Sequence, residues 1–252
     1  MRAARETGVV RDNREIAPGI FAMRLAAPSA GEARPGQFFS LYCADASRLL
    51  PRPISLCRID ADEVTMVYRV AGAGTAEFSA LKEGDSLEYL GPLGNGFPIG
   101  EGHALLLGGG IGLPPLLELA RRLPGPVTVA AGYRGPDLFL LEDFAEYAEV
   151  LVATEDGSAG TRGNVLDAVR AAGKNYDVIY ACGPTPMLRA VKAFAEEEGV
   201  PAWLSLEERM ACGMGACLGC VTGTVKEDSH SRVNNARVCR DGPVFSAEEV
   251  LL

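Results

Sequence analysis

Four of the seven cysteines in this 252-residue chain fall within its last 41 residues: Cys212, Cys217, Cys220 and Cys239. Their order is C-x4-C-x2-C, then 18 residues, then the fourth cysteine. This is the plant-type [2Fe–2S] spacing, in which four thiolates hold two irons. Three of the thiolates must come from one tight loop. Gly213, Gly215, Ala216 and Gly219 keep that loop small, and glycine admits positive φ and close approach of backbone N–H groups to sulfur. Structural zinc and four unrelated thiols are the alternatives, although structural zinc more often pairs two short C-x2-4-C knuckles.

A second constellation is Gly108-Gly109-Gly110-Ile111-Gly112-Leu113-Pro114-Pro115, between an apolar strand and a helix. Gly109, Gly110 and Gly112 in such a turn let a dinucleotide pyrophosphate approach a helix N-terminus. Pro114 breaks the strict G-x-G-x-x-G spacing. Cys182 and Gly183, opening Cys182-Gly183-Pro184-Thr185-Pro186-Met187, lie at the carboxyl end of a later strand, where open α/β sheets bind ligands. A plain strand-to-helix turn and a buried small thiol are the bland readings. Arg134 with Asp137 beside it makes a poor 2′-phosphate site, which favours NAD over NADP.

A third constellation lies earlier. Arg52-Pro53-Ile54-Ser55 offers a guanidinium for a pyrophosphate and a hydroxyl for a flavin ring nitrogen. Tyr68-Arg69-Val70 follows, and Gly74 and Thr75 open a short helix whose N–H groups suit phosphate. Each piece alone also reads as surface charge or ordinary strand.

The elements that position these residues divide the chain. Over residues 1–99, short alternating runs separated by turns predict an antiparallel β-barrel or sandwich: 8–11, 19–25, 37–43, 54–59, 64–70 and 86–90. A helix is expected over 74–81. Over residues 100–206, apolar strands at 103–107, 127–131, 150–153, 178–182 and 202–206 alternate with helices. The helices are expected at 115–123, 138–147, 163–172 and 186–198. That alternation predicts a parallel sheet covered on both faces. Residues 207–252 form a small cysteine-rich module with a short tail after Cys239. The expected class is thus β plus α/β with a C-terminal [2Fe–2S] module.

Lys plus Arg number 24 against 33 Asp plus Glu, a formal charge of −9. That balance argues against a nucleic-acid surface, and so against a DNA-binding redox sensor, and against anionic membranes. The longest uncharged apolar stretch, 104–117, is too short to span a bilayer, and no signal peptide is visible, so a cytoplasmic protein is expected. His103 and His230 are isolated, and Trp203 reads as core.

The order of the three constellations resembles the ferredoxin–NADP reductase superfamily. Within it, the chain is similar to the electron-transfer subunits of dihydroorotate dehydrogenase B. The stretches that carry the resemblance are 50–55, 68–70, 90–96, 108–115 and 205–220, the last being the most specific. The resemblance implies FAD on Arg52, Pro53, Ile54, Ser55, Tyr68, Arg69, Val70, Gly74 and Thr75, and a cluster on the four named cysteines. It implies NAD as substrate and an FMN-containing catalytic partner oxidising dihydroorotate in pyrimidine biosynthesis, in a heterotetramer of two plus two. A reductase subunit serving ferredoxin or hydrogenase would share all three constellations. Ile54 departs from the superfamily, where many relatives carry a flavin-stacking Tyr. A cluster module also replaces the C-terminal aromatic of plant reductases.

Overall fold

The computed structural model describes residues 4–227 and 232–252, so His230 lies outside the described residues. The first strands are β1 (Ala4–Ala17), β2 (Ile20–Ala26), β3 (Phe38–Leu41), β4 (Arg52–Ile59) and β5 (Glu63–Arg69). Helix α1 (Ala73–Ser79) and β6 (Ser86–Leu93) follow. The six strands close into an antiparallel barrel in the order β1-β2-β5-β4-β3-β6. The first strand is much longer than the 8–11 run predicts, because it serves two neighbours. Ala4–Val9 pairs with β6, and Val9–Ala17 pairs with β2 across two register shifts. Alternate residues fill the interior, among them Met23, Leu25, Phe39, Leu56, Met66, Tyr68 and Tyr89. The Phe39 and Tyr89 rings stack at 4.4 Å.

The second half begins with β7 (Ala104–Gly109), α2 (Pro114–Arg122), β8 (Val127–Tyr133), α3 (Leu141–Ala145) and β9 (Glu149–Thr154). It continues through β10 (Thr161–Arg162), α4 (Val165–Ala172), β11 (Val178–Cys182), α5 (Thr185–Glu198) and β12 (Ala202–Ser205). These strands form a sheet in the order β10-β9-β8-β7-β11-β12, all parallel. The strand order reverses between β7 and β11, so the Gly108–Gly112 turn and Cys182-Gly183 meet where such sheets bind ligands. Residues on α2 and α3 join one buried cluster, and residues on α4 and α5 join another, so both faces are covered. The third helix is shorter than the expected 138–147. Leu140 takes φ 64°, a left-handed conformation that a helix interior does not accommodate.

The last strands are β13 (Val221–Gly223), β14 (Asn235–Arg237) and β15 (Val244–Ser246). Here the structure corrects the reading of a tail after Cys239. β15 joins the large sheet as its seventh strand, antiparallel to β12, with Leu204 opposite Phe245. One core cluster accordingly contains Phe38 and Leu93 of the barrel, Leu188 and Val191 of α5, and Cys220, Val238 and Phe245 of the cysteine module.

On the opposite face, α2 is tied to the barrel by a buried carboxylate. Glu118 is 1% exposed and accepts from the Ile59 N–H at 3.1 Å. Arg121 and Arg122 flank the same carboxylate, and Arg58 pairs with Asp143 of α3 at 2.7 Å. Glu118→Ala leaves a buried N–H unpaired, which costs about 2 kcal/mol. Thermal unfolding of the variant should show Tm lowered by roughly 4–8 °C.

Candidate redox-cofactor site

The cysteine module is built by two local devices. In the first loop, Gly213 and Gly215 take φ values of 68° and 83°, which turn the Ala216 and Cys217 N–H groups toward the Cys212 sulfur at 3.3 and 3.4 Å. In the second, β13 and β14 pair as an antiparallel ladder with Val221 opposite Arg237, so Cys220 and Cys239 meet at its end despite 18 intervening residues. Val238 N–H donates to the Cys220 carbonyl at 2.8 Å, and Cys239 N–H points to the Cys220 sulfur at 3.4 Å. Arg237 grips Asp241 through two nitrogens, at 2.8 and 2.9 Å, and reaches the Gly215 carbonyl at 3.3 Å, linking the two devices.

The Cys212 and Cys217 side chains contact each other, as do those of Cys220 and Cys239, and Cys212 is near enough to raise the Cys239 thiol as well. Among the described residues, no three His, Cys, Asp or Glu side chains converge as ligands of one metal ion. A two-iron cluster takes two thiolates per iron, and the paired arrangement fits it. Burial raises the Cys212 thiol, but the N–H groups of Met214, Cys217 and Ala216, together with the Cys217 side chain, outweigh it and bring the pKa to about 6. These N–H groups favour a thiolate ligand.

The barrel offers a slot. Among the described residues, Arg52–Ser55 of β4 pair only with β3, and the β4–β5 ladder starts at Leu56 opposite Met66. Beyond that point, Val67–Arg69 of β5 pair only with β2. Two unpaired backbone edges thus face each other across a splayed gap, a shape suited to a flat ring with hydrogen-bonding edges. At one end of the gap, the Arg52 guanidinium lies over the start of α1. A Cβ on Gly74 would stand 2.1 Å from its Nε, so only glycine permits this placement. Thr75 Oγ1 accepts from the Ala71 and Gly72 N–H groups at 2.9 and 3.2 Å, which fixes the turn.

Other expected positions sit differently. The Tyr68 side chain is 2% exposed inside the barrel, and its hydroxyl donates to Asn13 at 3.1 Å, leaving only its backbone for a ligand. Ile54 packs on the barrel core, and Val70 N–H donates to the Gly19 carbonyl at 2.9 Å. Arg69 points outward and brings Nη2 to 3.6 Å from where a Gly110 Cβ would stand, joining the barrel slot to the glycine turn.

In that turn, a Cβ on Gly112 would lie 2.2 Å from the Cys182 carbonyl oxygen, and one on Gly109 would lie 2.8 Å from the Met187 sulfur. These glycines serve the close seating of one nucleotide loop on the other. Pro114 and Pro115 open α2 and carry no N–H, so an anion there must rely on the turn's own amides. Beside Gly183 opens a cleft of about 340 Å³, lined by Gly183, Pro184, Thr185 and Glu207–Arg209. Burial pushes the Cys182 thiol up to about 12, which disfavours the reactive thiolate.

Between the slot and the cysteines lies Ser40, which sequence reasoning missed. It is 1% exposed, and its Oγ has no hydrogen-bond partner among the described residues. A Cβ on Gly213 would stand 2.8 Å from that oxygen. A buried orphan hydroxyl at this junction fits a site completed by a bound group.

A splayed barrel, a nucleotide-type sheet and a paired-thiolate module define a reductase-type electron-transfer protein. Comparison with known proteins agrees. Residues 207–251 match the iron–sulfur cluster binding domain of dihydroorotate dehydrogenase B. The chain is 46% identical to the dihydroorotate dehydrogenase B (NAD(+)) electron transfer subunit of Streptococcus mutans, covering 98% of each chain. It is 44% identical to the protein of the same name from Geobacillus kaustophilus, covering 98% of this chain and 99% of the relative. In structure, it is similar to a chain of an NADH-dependent reduced ferredoxin-NADP oxidoreductase described for flavin-based electron bifurcation. That similarity has a TM-score of 0.87 at 31% identity and covers 97% and 89% of the two chains. The chain belongs to the family of dihydroorotate dehydrogenase B electron transfer subunits.

Anaerobically purified protein should contain about two irons per chain. Cys217→Ser should remove the iron and leave FAD bound, because the barrel slot contains no cysteine ligand. Iron and flavin analysis of both proteins checks this.

Proposed function

We propose that this chain carries electrons between NAD and an FMN-containing dihydroorotate dehydrogenase catalytic subunit in pyrimidine biosynthesis. The observation that carries the reading is the convergence of three sites: the β4–β5 slot, the turn at Gly108–Gly112, and the paired cysteines beside Ser40 and Gly213. When bound, FAD would exchange a hydride with the nicotinamide and single electrons with the [2Fe–2S] cluster. The proposed division is 1–99 for FAD, 100–206 for NAD and 207–252 for the cluster.

Each set of residues has a stated task. Arg52 neutralises the FAD pyrophosphate over Gly74 and Thr75, and Pro53, Ile54, Ser55 and the backbone of Tyr68, Arg69 and Val70 border the ring. Gly109 and Gly112 hold the two nucleotide loops together beside Cys182 and Gly183, and Gly110 faces Arg69 of the barrel. Cys212, Cys217, Cys220 and Cys239 hold the cluster, and their loop exposes Met214 and Leu218, at 47% and 62%. Apolar side chains this exposed beside the cysteines suit a docking surface for the catalytic partner, in an assembly of two plus two. Met210, in contrast, packs against the core. No helix among the described residues is long and apolar enough to cross a membrane.

Arg52→Ala removes a charge-assisted contact worth roughly 1.5–3 kcal/mol. FAD affinity should fall by about ten- to a hundredfold, read as flavin lost on dialysis. The purified chain alone should reduce artificial acceptors with NADH and leave dihydroorotate untouched. Adding the FMN catalytic subunit should restore NAD-linked dihydroorotate oxidation. Turnover of dihydroorotate by the isolated chain would refute the division of labour. The likeness to a ferredoxin-NADP oxidoreductase favours, as second reading, service to ferredoxin, which reduction of ferredoxin but no productive complex with the catalytic subunit would support.

A further inference from the structure

The barrel and the cluster ligands are joined by a short chain of hydrogen bonds that runs through Asn95. Asn95 lies in the turn after β6. Its backbone N–H donates to the Gly242 carbonyl at 2.6 Å. Its side-chain Nδ2 donates to the carbonyls of Asp241 at 2.9 Å and Arg240 at 3.3 Å. Both acceptors follow directly on Cys239. Two carbonyl acceptors require the amide nitrogen, so the orientation of this side chain is set by its partners.

On the cluster side, the turn that holds Cys239 is locked. The N–H groups of Arg240 and Asp241 return to the Arg237 carbonyl at 3.0 and 2.8 Å, and the Asp241 carboxylate holds the Arg237 guanidinium. On the barrel side, the Gly94 carbonyl accepts from Gln37 Nε2 at 2.6 Å, and the Gln37 carbonyl accepts from the Leu56 N–H at 3.0 Å. Leu56 directly follows Ser55, at the point where β4 leaves β5 to form the slot. Five residues, Leu56, Gln37, Gly94, Asn95 and Asp241, thus tie the strand beside the slot to the turn carrying the fourth cysteine. The two surfaces also touch closely, since a Cβ on Gly94 would meet the Pro243 Cδ at 2.6 Å.

The cysteine module has a second, independent attachment. β15 pairs with β12, and the Leu206 N–H donates to the Pro243 carbonyl at 2.9 Å. Loss of the Asn95 side chain therefore leaves the module on the sheet and loosens only its seating on the barrel, where the Asn95 backbone bond to Gly242 and the shared apolar core remain. We propose that Asn95 is a positioning residue for internal electron transfer, setting the separation between the barrel slot and the cluster without touching either group. This rests on the cofactor reading above. Electron transfer falls steeply with the gap between carriers, so a small displacement suffices to slow it.

The test uses Asn95→Ala and Asn95→Asp in the full-length protein loaded with both cofactors. Asn95 is exposed, so neither variant leaves a cavity. Asn95→Asp keeps the shape and removes the side-chain donor. Anaerobic rapid mixing with NADH follows flavin bleaching and cluster reduction separately, alongside FAD content, iron content and Tm. The expected result is wild-type iron and FAD with unchanged flavin reduction. Cluster reduction should be slowed about tenfold or more, since misplacing reacting groups by about 1 Å is costly. Equal cluster reduction in wild type and both variants would overturn the proposal. So would loss of iron or Tm with no split between the two rates, which is a purely structural role. Wild-type protein that binds no iron or no FAD would instead defeat the cofactor reading itself.

Discussion

The antiparallel return of Val244–Ser246 beside Ala202–Ser205 is the contact on which the rest of the arrangement depends. Without it, the cysteine segment would lose its second attachment to the sheet. With it, both ends of the cysteine segment are fixed to the same sheet. Phe245 is buried in a core shared with Leu188 and Val191 of α5 and with Phe38 and Leu93 of the barrel. One apolar cluster thereby joins the flavin-type barrel, the nucleotide-type sheet and the thiolate module. Burial on this scale holds the modules together, while the polar ties through Asn95 and Glu118 set their register.

The same economy governs the nucleotide turn. Gly112 lies so close to the Cys182 carbonyl that its missing side chain is a packing requirement. Gly110 faces Arg69 of the barrel. A turn whose composition suggests ligand approach is thus also the meeting point of three segments. Backbone amides left over from this seating are what remain for an anion, because prolines occupy the first positions of α2 and α5's first turn.

The legible parts of the sequence were those whose signals are local. The C-x4-C-x2-C loop is self-contained, and its glycines turn backbone N–H groups toward the Cys212 sulfur. All six barrel strands and the five long parallel strands appear where alternation or apolar runs place them. The invisible parts depend on distant partners. β15 has only three residues after a Gly-Pro turn, so nothing local separates it from a tail. Tyr68 sits beside Arg69 in a strand, and which of the two turns inward is decided by the register of Met66 opposite Leu56. Ser40, Gln37 and Asn95 are ordinary polar residues in sequence. Their meaning arises only when the fold brings Gly213 against Ser40, the Gly94 carbonyl against Gln37, and the Arg240–Gly242 carbonyls against Asn95.

The central claim is that one chain holds a two-electron flavin and a one-electron cluster in working contact. An anaerobic reductive titration of the purified protein, followed by absorption and by EPR of the iron, tests it most directly. The account predicts about three electrons taken up per chain, two by FAD and one by the cluster, with an iron signal appearing on reduction. Uptake of two electrons with no iron signal, or stoichiometric zinc in place of iron, would contradict it.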